Sequence, residues 1–282
     1  RPAIAGAYAD KPRELLKEDL RNSTFVLRPD SEEKSFRFAH TSMQEYFLAT
    51  FLVRALREGR PDDWNLPSLS RETLDFAGQL LRMEKDGKCL KTLEELLENQ
   101  RPRATLNAFR YWLLAVEKEH PRPSPVSPVL KGEDLEGIEI RGRDAAHMLA
   151  LPGINLEGAW LARARRENVN MTGAKLAGCA APQSEFLNDI LNDADARGAN
   201  LVSSVWRDCL NDGMQLDAAV LEGSEWIRPS EWNPQWNMRG AVSCGMTTHL
   251  PDRQLHSRIS NYCSATMASI SPDGARIVSA SA

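Results

Sequence analysis

Residues 154–226 read INLEG AWLAR ARREN VNMTG AKLAG CAAPQ SEFLN DILND ADARG ANLVS SVWRD CLNDG MQLDA AVLEG SEW, and this stretch decides the fold. The third residue of each group is mostly large and apolar, as at Leu156, Leu161, Met171, Leu176, Phe186, Leu191, Trp206 and Trp226. The first is mostly small, as at Ala159, Ala174, Cys179, Ala199 and Ser224. Neither a helix at 3.6 residues per turn nor a strand at 2 keeps one face apolar with a period of five. A chain that turns a corner every five residues does. Four such sides close a square coil in which the large residue points inward and the small one fills the tighter space beside it. Stacked coils then bury a continuous ladder that no single coil could hold alone. Arg166, Asp189 and Asn211 interrupt the pattern, and bulged corners are expected there.

The pattern and its phase resemble the pentapeptide-repeat family, most plainly at Ala199-Asn200-Leu201 and Ile154-Asn155-Leu156-Glu157-Gly158. That resemblance implies a right-handed quadrilateral β-helix. Coils stacked at about one strand spacing, roughly 5 Å, make a rod on the order of 15 to 20 Å long.

Composition bounds the rest. The chain has 282 residues, more than one typical domain. No apolar run approaches a membrane span, and Arg1 to Asp10 lacks the apolar core of a signal peptide. Five cysteines, widely spaced and without a C-x-x-C pair, favour a reducing compartment, so a cytoplasmic location is expected. A net charge of −4 with mixed signs gives no general attraction for nucleic acid or acidic membranes, and neither is expected as a partner. The chain starts at Arg1 and stops at Ala282 inside what reads as a motif, as a piece of a longer protein would.

The expected fold class is multidomain α+β. Phe25–Arg28 and Ser35–Phe38 read as a hairpin, followed by a helix from a Ser42–Glu45 capping box to Gly59. Apolar stripes at Leu74/Ala77/Leu80/Leu81, Leu90/Leu93/Leu96/Leu97 and Leu106/Phe109/Leu113/Val116 predict a helical bundle. The alternating prolines from Pro121 to Pro128 predict a semi-rigid spacer. Asp134–Ile140 reads as an imperfect first coil, offset by an insertion near 143–149. The expected domains are therefore 1–59, a winged-helix tail; 60–120, a helical bundle; 121–134, a proline-rich linker; 135–228, the β-helix; and 229–282, a linker and an incomplete β-blade.

Two further resemblances shape the functional expectation. Residues 36–49, FRFAHTSMQEYFLA, resemble the segment closing the winged-helix domain of NACHT-type STAND NTPases, with Met43 in place of a commoner Phe. In that family the matching histidine contacts the ADP phosphate, which gives His40 a cofactor-binding role in a longer parent that carries ADP or ATP. Residues 266–281, TMASISPDGARIVSAS, resemble the core of a WD repeat, physically a hairpin turning at Ser271-Pro272-Asp273-Gly274. Together the three resemblances imply the regulatory and sensor half of a STAND signalling ATPase, in immune or antiphage signalling. Its partners would be a protein ligand on the repeats, an upstream NTPase domain in cis, and copies of the parent on activation.

No Walker loop, G-x-S-x-G elbow or H-E-x-x-H helix is present, so no catalytic residue and no metal site is expected, and the chain is not expected to be an enzyme. Cys244, His249, His256 and Cys263 lack the close pairs of a zinc site, and Trp232 and Trp236 read as a cap on the last coil. The alternative function is a DNA mimic that binds topoisomerase, or a passive interaction scaffold. Acidic residues outnumber basic ones between Ile154 and Trp226, yet Arg163, Arg165, Arg166, Lys175, Arg197 and Arg207 interrupt the acidity.

Overall fold

The computed structural model describes residues 40–85, 87–123, 127–227 and 230, and the backbone of the short strands at 26–27, 37–38, 242–244, 267–270 and 277–280. Among the described residues four α-helices lead into a stack of β-coils.

Helix α1, Thr41–Glu58, ends where Gly59 takes a left-handed conformation and its N–H reaches back to Ala55 and Leu56. The expected capping box is not formed: His40 occupies the N-cap without a side-chain bond, and Ser42 lies inside the helix. Glu45 instead accepts from Ser70 Oγ (3.0 Å), which itself caps α2, Arg71–Leu81, by accepting from the Thr73 N–H. Helices α3, Lys88–Glu98, and α4, Ala104–Lys118, complete the bundle. α1 packs on α2 and α3, and its Leu52 and Leu56 share one core with Trp64, Leu93, Leu96 and Phe109. α1 therefore belongs to the same bundle as the helices after it. α4 is buried on almost every side, Tyr111 and Trp112 included, and its Asn107 donates to the Trp64 and Leu66 carbonyls. Four apolar positions in the eleven residues from Leu106 to Val116 predict one stripe; the helix is in fact central.

The coils begin earlier than the predicted 135. Val129 already bridges Asn155, and Leu130 is fully buried in the lumen, so the proline-rich linker is shorter than 121–134. The first coil is bonded to the bundle, with the Val129 N–H donating to the Leu97 carbonyl and Gln100 donating to that of Lys131.

From residue 149 to residue 207 each rung pairs with the residue twenty positions later: Asn155 with Lys175, Asp195 and Gln215 in turn, and Trp160 with Ala180, Asn200 and Val220. Twenty is four sides of five, so the square coil follows from the period. The first coil differs, because Val129, Asp134 and Glu139 pair with Asn155, Trp160 and Arg165, twenty-six positions on. Six extra residues are looped out between β3, Glu139–Arg141, and β4, Leu149–Ala150. One side carries strands long enough to form a parallel sheet: β3, β5 (Arg165–Glu167), β7 (Glu185–Leu187), β8 (Val205–Arg207), β9 (Glu225–Ile227) and β10 (Val242–Cys244), neighbour to neighbour. β6, Val169–Asn170, pairs with β4 on the adjacent side.

Each corner turns on the fifth residue of the repeat. Every fifth position from Gly153 to Gly223 has φ between +54° and +70°. Glycine takes that region without strain and Asn or Asp tolerates it, whereas Arg163, Gln183, Ser203 and Ala218 occupy it against their preference.

β1, Val26–Leu27, pairs antiparallel with β2, Arg37–Phe38, and β11, Met267–Ile270, with β12, Ile277–Ala280. These are strand pairings and nothing more; neither a winged helix nor a propeller blade is supported by them. The Ser271–Gly274 turn lies outside the described residues.

Candidate functional site: the lumen and the outer faces of the coils

The inward positions form four columns. One of them runs Ile140, Arg166, Phe186, Trp206, Trp226, all 1% exposed or less. The Phe186 and Trp206 rings stack with centroids 3.5 Å apart, and Trp206 lies 4.5 Å from Trp226 at an interplanar angle of 3°. Parallel in-register coils put identical column positions one rung apart, which brings flat rings face to face. A buried indole N–H needs an acceptor. The small residue two places earlier supplies it, since Trp206 Nε1 donates to Ser204 Oγ (2.8 Å) and Trp226 Nε1 to Ser224 Oγ (3.0 Å). Both hydroxyls then donate to backbone carbonyls, of Leu201 and Leu221. This column therefore has serine at 204 and 224, where the adjacent column has Ala199 and Ala219.

Arg166 ends the ring stack. Its guanidinium carbon lies 3.6 Å from the Phe186 ring centroid, and the residue is fully buried, with no hydrogen-bond partner on any guanidinium nitrogen. Asp189, also fully buried, provides the nearby countercharge and accepts from the Val169 N–H (2.9 Å). Burial pushes the Asp189 carboxyl up to about 7, against the pull of the Val169 N–H and Arg166. Burial likewise pulls the Arg166 guanidinium down, with Asp189 opposing. An arginine starts so far above neutrality that it stays charged. The predicted bulges at Arg166, Asp189 and Asn211 do not occur. All three are buried and the twenty-residue register runs through them unbroken. A cation on an aromatic face beside a carboxylate fills the same space as an apolar side chain.

Cys179 and Cys209 lie in the same lumen as free thiols, and burial pushes Cys179 up to about 11 and Cys209 higher still. Neither is a poised nucleophile.

The outside is asymmetric in charge. Residues 129–184 carry seven acidic side chains against six basic ones outside the lumen. Most of those basic groups sit in ion pairs, as Lys131 with Glu157, Arg141 with Glu139, Arg163 with Glu136 and Arg165 with Glu185. Residues 185–227 carry eight outward acids against two basic residues, Arg197 and Arg207. Asp193, Asp212, Asp217, Glu222 and Glu225 are exposed. Leu210 and Val220 lie among them, 44% and 47% exposed. Sequence reading registered an excess of acid interrupted by arginines, but not its concentration at one end, because that required knowing which residues face in.

His40 is exposed at the start of α1 and makes no capping bond. Cys244 has only its backbone described, and His249, His256, Cys263, Trp232 and Trp236 lie outside the described residues. Among the described residues no group of three or more His, Cys, Asp or Glu is placed to hold a metal, and no helix is long and apolar enough to cross a membrane.

Neither the protein-family models nor the curated proteins match this chain. Solved structures do. A pentapeptide repeat protein from the Arabidopsis thaliana thylakoid lumen is 20% identical over 47% of this chain and 78% of its own, with a TM-score of 0.29. One from the cyanobacterium Cyanothece 51142 is 15% identical over 40% and 89%, TM-score 0.28. QnrB1, a plasmid-mediated fluoroquinolone resistance protein, is 16% identical over 44% and 81%, TM-score 0.24. Such identities speak to fold alone; the five-residue coil of this chain rests on its own register and corners.

The expectation of a STAND ATPase regulatory half is corrected by these findings. The solved structures that resemble this chain are pentapeptide repeat proteins, and the NACHT and WD resemblances find no support among them. A short motif around His40 and a single hairpin carried that expectation. Both are local patterns that many folds accommodate.

Proposed function

We propose that this protein is a non-catalytic docking scaffold whose last coils, residues 185–227, bind a protein partner with a basic surface. The supporting observation is the charge concentrated on a rigid frame, eight outward acids against two basic residues with Leu210 and Val220 exposed among them. Parallel rungs hold the backbone beneath these carboxylates at fixed spacing, so little loop freedom is lost on binding. Complementary charge steers the encounter and penalises acidic competitors. Acidity along the whole rod would favour mimicry of DNA. Here it is confined to the end of the stack, while earlier coils neutralise themselves in ion pairs, which favours protein docking. Buried cysteines outside any disulfide, Cys89, Cys179 and Cys209, fit a cytoplasmic setting.

The test is affinity capture with three forms of the protein: wild type, a variant neutralised at the end (Asp193→Asn, Asp212→Asn, Asp217→Asn, Glu222→Gln), and one neutralised earlier (Arg163→Gln, Lys175→Gln). Docking through the last coils predicts the same proteins on wild type and the early variant, and their loss on the end variant. Equal capture by all three would sink the reading.

A further inference from the structure

The six-residue insertion in the first coil is not needed to close a solenoid, since every later coil closes without it. It stands opposite α4, and between the two runs a cleft of about 1290 Å³. Trp112, Leu113 and Val116 of α4 form one wall, and Ile138, Met148 and Leu149 form the other. Gly142 fixes the point where the insertion leaves the coil: a Cβ there would stand 2.3 Å from the Asn168 carbonyl and 2.7 Å from the Leu149 nitrogen.

The mouth of the cleft is charged. Arg71, Arg110, Arg122, Arg141 and Arg143 line it, against Glu117, Glu119 and Glu139. Arg71 pairs with Glu117 and Arg141 with Glu139, so two of the five guanidiniums are neutralised. Arg110 donates to Ser68 Oγ and Arg122 to the Ala115 carbonyl (3.4 Å), while Arg143 sits exposed on the insertion. His120, buried at one end, is held by Asp75 through Nε2 (2.6 Å). An apolar trough with excess guanidinium at its rim complements a chain with apolar anchors and flanking carboxylates, and its volume exceeds the roughly 300–1,000 Å³ of a small-molecule pocket.

We propose that the cleft between α4 and the insertion binds an acidic peptide segment of a partner protein, with an apolar side chain seated on the half-buried Leu113, Ile138 and Met148 and carboxylates at Arg110, Arg122 and Arg143. The surface is distinct from the acidic coils and opposite in charge, so either can fail alone.

The test uses the full chain and two fluorescein-labelled peptides, Glu-Glu-Leu-Phe-Glu-Glu and Lys-Lys-Leu-Phe-Lys-Lys, followed by fluorescence anisotropy. The acidic peptide binds saturably and more weakly as salt rises, and the basic one does not bind the cleft. Arg143→Glu, on an exposed loop and therefore safe for folding, weakens the acidic peptide roughly tenfold. Arg110→Glu added to it weakens binding further. Equal affinity for wild type and Arg143→Glu overturns the proposal, as does the absence of acidic-peptide binding. Concentration-dependent self-association that Arg143→Glu abolishes, without peptide binding, assigns the cleft to a second copy and overturns it equally.

Discussion

Before residue 185 one lumen column holds Ile140 and the Arg166 guanidinium, while after it the same column carries the rings of Phe186, Trp206 and Trp226. Outside, the earlier coils balance their charge in ion pairs and the later ones are acidic. The backbone does not register the change, because the twenty-residue pairing continues across it. A ladder of corners and rungs fixes geometry through the main chain, so side chains are free to specialise inside for packing and outside for recognition.

The largest expected effect comes from breaking the ring stack. Trp206→Ala removes its middle member and should cost about 4 kcal/mol, read from urea denaturation. Leu176→Ala, in the aliphatic coils, should cost about 3 kcal/mol. A loss below about 1 kcal/mol at Trp206 would mean that the stack contributes little.

Next is the buried pair at the junction. Asp189→Ala should cost about 3 kcal/mol, since it strips the acceptor from the Val169 N–H and the countercharge from Arg166. The double change Arg166→Leu with Asp189→Val should recover part of that loss, because an apolar pair carries no desolvation penalty, while the Val169 N–H still lacks its acceptor. A double variant as unstable as Asp189→Ala would show that the pair stabilises through something other than mutual neutralisation.

The third effect is smaller and opposite in sign. Ala218 holds φ at 58° on a corner, so Ala218→Gly should raise stability by about 1 kcal/mol in thermal unfolding. Unchanged or lowered stability would show that the unfolded-chain entropy of glycine outweighs the relieved strain. The smallest effect should come from the four-residue neutralisation of the last coils, each site shifting stability by about 0.5 kcal/mol or less while capture is lost. A large destabilisation would place those carboxylates in the fold rather than at a docking surface.

The coil was legible in the sequence because its period matches no helix or strand, and fifteen consecutive units repeat the same phase. The exceptions were legible as exceptions only. Whether Arg166 bulged or entered the lumen depended on Asp189, twenty-three positions away, and on the Phe186 ring one coil on. The Ser42–Glu45 box looked like a cap, but Glu45 turned instead to Ser70, a tertiary contact that overrides a local signal. The start of the first coil at Val129 was hidden because the insertion shifts its pairing to twenty-six. The outer site was half visible: composition showed the acid, and only the alternation of inward and outward positions placed it at one end.

The measurement that bears most directly on the docking claim is carboxylate footprinting, in which exposed Asp and Glu are amidated and read by mass spectrometry with and without the captured partner. The account predicts protection at Asp193, Asp212, Asp217 and Glu222 while Glu139 and Glu157 remain labelled. Protection at Glu139 and Glu157, with the last coils still labelled, would contradict it.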